Sequence, residues 1–186
     1  GIIGGKESDV PDYWGYSVEI AQAWEKTQQQ ANTPKTRKVA MRTAMVMTPD
    51  KEGIFDVLYN LTRWGLGGTI AGGRQFISWI HEYDFIQALE VLIENKGITG
   101  PVNLCAPNPL PQKDFMAQLR KAGNISIGLP ATKWMVEIGA FFMRTDTELV
   151  LKSRQVIPKR LLDLGFQFQY SHWDKAAIDL VQRWKN

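Results

Sequence analysis

Only one cysteine, Cys105, occurs in the 186 residues. No internal disulfide can form, and a reducing cytoplasm fits. Cys105 lies in an apolar run, so its thiol is expected to pack as a small hydrophobe. The two histidines, His81 and His172, have no cysteine or histidine nearby at ligand spacing, which argues against a zinc site. No apolar run approaches the ~20 residues of a membrane span, and the first residues carry no secretory signal. The opening GIIGGKESDVPDY reads as a loop inside a domain. A net charge of +3 is small and spread along the chain. Its local cluster, Lys35, Arg37 and Lys38, is too weak to argue for nucleic acid and reads as a solvated strand entry.

What is present is a chain 44% hydrophobic and 22% charged, enough for one sizeable core, or for one core plus a small subdomain. The pattern predicts a helix over 16–31 and a strand over 37–47, buried on both faces. A helix follows over 53–64, with Ile54, Val57, Leu58, Leu61 and Trp64 on its inner face. Then come a strand over 75–80, a helix over 82–94, a short strand within GITGPVNLCAP and a helix over 112–122. Further on, the pattern predicts a short strand near ISIGLP, an apolar helix over 131–143 and a short helix within IPKRLLDLG. An alternating strand over 166–170 and a helix over 172–185 complete the chain. Helices alternating with strands place it in the α/β class. Few strands are strong, and parallel sheets are rarely that small. The chain therefore reads as the second half of a larger domain.

The glycines of GLGGTIAGG suggest a dinucleotide loop, but the spacing fails. After Gly65 and Gly67 the third glycine belongs at position 70, which is Ile70. The run also follows a helix, whereas the fingerprint follows a strand. A helix stop and a turn explain it. A short-chain dehydrogenase also needs a tyrosine with a lysine four residues on, because the lysine lowers the phenol pKa for proton transfer. Here Tyr13 is followed by Ser17 and Tyr16 by Ile20, so neither pair works. Two arginines attract attention. Arg42 lies within an apolar strand, where a charge needs a partner. Arg74 follows Gly72 and Gly73, where a guanidinium could reach a pocket or simply meet solvent. Asp84 in a first helical turn complements the helix dipole. Trp134, Phe141, Phe142 and Trp173 are expected to form a small core; the other reading is an exposed interaction patch.

Three linked blocks carry a resemblance: MRTAMVMTPDKEG, then WGLGGTIAGGRQFISWIHEYDFIQALEVLIEN, then GPVNLCAPNPLPQKDFMAQL, with RQVIPKRLLDLGFQFQY at 154–170. From about Asp12 onward the chain resembles the C-terminal part of the atypical short-chain dehydrogenase/reductase, sugar-nucleotide epimerase-like family. The resemblance implies an α/β fold: the C-terminal portion of an extended Rossmann-type short-chain dehydrogenase with a small α/β substrate subdomain. Residues 1–105 would be the C-terminal half of the NAD(P)-binding domain and part of the substrate region. Residues 106–186 would be the small C-terminal subdomain. The implied cofactor is NADP(H) or NAD(H), with NADP the first choice, and its phosphate loop lies outside these residues. Arg42, Thr43 and Val46 match the family's cofactor strand, with Val46 at the nicotinamide ribose. Ala44 replaces a usual glycine there. Arg74 would meet an anionic substrate group. His81 and Asp84 match the family's IHxxD and would hold a strand–helix junction together.

The implied chemistry is hydride transfer at a sugar nucleotide or a similar anionic carbonyl compound. The other reading is a non-catalytic sensor of a nucleotide or metabolite. Catalytic residues are not identifiable. A small molecule is the expected partner, with neither nucleic acid nor membrane, and the chain is expected to be cytoplasmic and inactive by itself.

Overall fold

The computed structural model describes residues 15–130 and 153–186. Helix α1 (Gly15–Gln30) leads to a strand run that divides at Ala44 into β1 (Val39–Thr43) and β2 (Met45–Met47). Helix α2 (Ile54–Arg63), β3 (Phe76–Ile77) and β4 (Trp79–His81) follow. Then come α3 (Glu82–Glu94), β5 (Gly100–Leu104), β6 (Leu110–Pro111) and α4 (Gln112–Gly123). After residue 152 the described elements are α5 (Lys159–Asp163) and α6 (Trp173–Lys185).

β1 pairs parallel with β5, and β2 pairs parallel with β4. The Ala44 N–H still reaches the Leu104 carbonyl (3.0 Å), so one chain run serves two partners in succession. β3 pairs antiparallel with β6. Parallel strands need crossovers; α2 lies between β2 and β4, and α3 between β4 and β5.

Two apolar clusters hold these layers. The first joins Met47, Phe55, Tyr59, Trp79, Phe115 and Leu119 to Trp173, Leu180 and Val181 of α6. The Trp173 ring stacks on Phe115 at 4.0 Å and meets Trp79 edge-on at 5.0 Å. Its Nε1 donates to the Phe115 carbonyl (2.9 Å), so its one polar atom is satisfied inside the core. Burial of a side chain this large contributes about 3 kcal/mol. The second cluster joins Ile80, Ala88, Leu92, Val102, Leu104 and Leu161, with Phe166 and Phe168 against it.

The structure corrects several local expectations. The run 37–47 is not buried on both faces: Met41, Arg42 and Thr43 are exposed. α2 buries Phe55, Tyr59 and Thr62 most deeply; of the predicted face Ile54 and Leu58 pack against the same cluster, and Trp64 lies outside. The cause is Tyr59, whose ring packs between Phe55 and Trp184. Residues 125–130 form no strand. Neither do 166–170: Phe166 and Phe168 pack inward, and the amides of Gln169 and Tyr170 bond a carboxylate instead of a ladder. Arg37 is exposed at the strand entry, as expected, and is also tied down. Its guanidinium donates to the Leu92 carbonyl in the last turn of α3 (2.6 Å), a helix-terminal acceptor, and to the Ile98 carbonyl beyond the helix (2.9 Å). Trp173 belongs to the core, 2% exposed. Trp134, Phe141, Phe142 and the helix over 131–143 lie outside the described residues.

Candidate functional site

The glycine-rich loop after α2 is closed. Gly65 adopts φ +78, a conformation open to glycine, and ends the helix. Gln112, buried to 1% exposure, donates to the Gly68 carbonyl (3.1 Å) and accepts from the Ile70 N–H (3.0 Å). Arg120 donates to the Gly67 carbonyl, and the Leu129 N–H to that of Gly65 (2.7 Å). A Cβ on Gly68 would collide with the Leu129 backbone. These glycines permit close packing, and the Ile70 amide that a phosphate could have used is occupied.

The junction between β4 and α3 is closed too. His81 is the N-cap of α3; its Nδ1 accepts from the Tyr83 N–H (3.1 Å). The ring proton therefore sits on Nε2 and faces Asp179 Oδ2 at 3.1 Å. Tyr170 stacks on the imidazole at 3.9 Å. Burial pushes the His81 pKa below the usual histidine range, and Asp179 only partly opposes this. Burial alone would raise the Asp179 carboxyl, but bonds from Tyr170, His81 and Arg183 hold it low. Asp84 does more than complement the dipole. Its two carboxylate oxygens accept the Gln169 and Tyr170 amides at 2.8 and 2.9 Å. Burial raises its pKa against those bonds. This constellation fastens the C-terminal segment onto α3. Cys105 is likewise structural: its thiol is fully buried and pushed up to about 12.

The open site lies elsewhere. A groove of ≈ 920 Å³ runs along β1 from Val39 through Met45, within the size range of small-molecule sites. Trp24 and Glu25 of α1, Phe76 and Ile77 of β3, and the segment around Arg154 complete its lining. Arg42 and Thr43 both line it. Arg42 is not a buried strand charge. It is exposed and held by a bidentate pair with Glu25, 2.6 and 2.7 Å. That pair lowers the Glu25 pKa and raises that of Arg42. Val46 stands one residue beyond the lining, and its side chain packs on the second cluster. Arg74 is exposed and lies outside the groove.

Sequence reasoning missed Arg154. It lines the groove, and its side chain is exposed. Its backbone is fixed: the Arg154 N–H donates to the Phe76 carbonyl (2.9 Å), and Ser78 Oγ donates to the Arg154 carbonyl (2.7 Å). The same Ser78 Oγ accepts from the Val156 N–H (3.0 Å), and Phe76 N–H bonds Ser153 Oγ (3.0 Å). The one local signal was the serine in QFISWI, a polar residue in an apolar strand. It needs partners when buried and finds them 76 and 78 positions away. Among the described residues no group of three or more His, Cys, Asp or Glu could hold a metal, and no helix is long and apolar enough to cross a membrane.

Comparison with known proteins places this geometry. A family model described as a domain of unknown function (DUF1731) matches residues 131–180. An epimerase family protein of Staphylococcus aureus is 32% identical over 165 residues, 88% of this chain and 53% of that protein. The epimerase family protein YfhF of Bacillus subtilis is 30% identical over 161 residues, 87% and 52% of the two chains. Among solved structures, the human epimerase family protein SDR39U1 (isoform 2), crystallised with NADPH, is similar at a TM-score of 0.78 and 26% identity. That match covers 88% of this chain and 54% of the human one. The chain thus spans about half the length of the curated relatives it matches.

Proposed function

This chain belongs to the atypical short-chain dehydrogenase/reductase, epimerase-like family, and on that premise we propose that it forms the nicotinamide side of an NAD(P)-dependent site. Its α/β architecture with parallel pairings is that of the Rossmann-like epimerase fold, of which it carries a part. In this reading residues 1–105 are the cofactor-side portion and residues 106–186 the smaller C-terminal one, with NADP the first choice of cofactor.

The observation that carries the reading is the groove along β1. It follows the unpaired edge of β1 and reaches past the carboxyl end of that strand, and the carboxyl ends of parallel strands are where ligands sit in open α/β sheets. Its residues fit a nicotinamide. Met45, Phe76 and Ile77 offer apolar surface to a flat ring, and Thr43 places an exposed hydroxyl beside them. Thr43 can bond a carboxamide or ribose oxygen; Arg42, held by Glu25, borders the same edge. Val46 supports β2 behind this lining. The cofactor, when bound, supplies hydride exchange with a carbonyl or carbinol carbon. Sugar nucleotides, or anionic carbonyl compounds like them, are the proposed substrates of the whole protein.

The chain's own part is to bind, orient and keep water from the ring. Neither Tyr13 nor Tyr16 has a lysine four residues on, so that proton-transfer pair is missing. The missing pair favours, as the second reading, a protein that binds the nucleotide without turning it over.

The test is a fluorescence titration of NADPH into this chain and into the product of the whole gene that carries it. Saturable binding is expected for the whole product, and no turnover for the chain alone. Thr43→Trp, which fills the groove from an exposed position, should weaken binding at least about tenfold. No binding, or binding indifferent to Thr43→Trp, overturns the cofactor assignment. Binding without reduction of any carbonyl compound favours the second reading.

A further inference from the structure

We draw no further inference here: the strongest candidate, the exposed apolar surface patch after α2 in which Trp64 and Leu66 flank Gly65 with Ile127 and Leu129 beside it, carries nothing, because nothing in the structure shows what covers it.

Discussion

At the start of α3, both nitrogens of His81 and both carboxylate oxygens of Asp84 meet protein partners. Along β1 the opposite holds: Trp24 is 73% and Met41 51% exposed, and the Arg154 guanidinium has no partner among the described residues. By residue type the first region is the more suggestive, with a histidine, two aspartates and a tyrosine in contact. Chemistry needs groups with free valence toward a ligand, and that cluster has little left. The second region, lined by methionine, phenylalanine and threonine, keeps its surface and one charge available. Residue type identifies a candidate; the bonds already made decide between fastening and binding.

The largest expected effect breaks the closed side. Asp84→Ala leaves the Gln169 and Tyr170 amides without their acceptor and frees the C-terminal segment. It should cost about 2–5 kcal/mol in urea unfolding. A loss below about 1 kcal/mol would mean that water replaces the carboxylate and the region is more open than described.

A subtler measurement sharpens the contrast by pH. Burial lowers the His81 pKa below its unfolded value of 6.5. Between the two values the unfolded chain binds more protons, so stability rises with pH there. Its contribution is complete above pH 6.5 and declines as pH falls toward the folded-state value. The limiting slope for one proton is about 1.4 kcal/mol per pH unit. Protonation would also set a donor on Nδ1 against the Tyr83 N–H. His81→Asn can still cap α3 without titrating, so its stability curve should be flatter from pH 6.5 to 5. Parallel curves for the two proteins would remove His81 from the account.

The smallest effect belongs to the open side. Glu25→Ala breaks an exposed ion pair and should cost at most about 1 kcal/mol in the same denaturation. It also leaves a second uncompensated arginine in the groove. A loss above 2 kcal/mol would show that α1 is fastened to β1 through this pair, and that the face is less available than its exposure implies.

These contrasts track what the sequence could convey. Helix α3 runs over the predicted residues, because its apolar period and its histidine and acid start are local signals. The glycine run was legible as a stop for the same reason. The predicted strand at 166–170 failed because Asp84, 85 positions away, takes the amides a ladder would have used. Arg42 was read as buried because its neighbours are apolar, yet its exposure depends on what α1 leaves uncovered. Arg154 was invisible because its place in the groove is set by Ser78 across 76 positions. Local pattern encodes elements; long-range bonds assemble the site.

The first core cluster has a consequence for the order in which the protein is made. Trp184 Nε1 donates to Asp56 Oδ1 (2.6 Å) across 128 positions, and Trp173, Leu180 and Val181 lie among residues of α2 and α4. During synthesis Phe55, Tyr59, Trp79 and Phe115 emerge long before the helix that covers them. Contacts of such long range form slowly and leave apolar surface exposed meanwhile. The nascent chain therefore waits for residues 173–184 to close this cluster, and that interval is when the cluster most needs protection from aggregation.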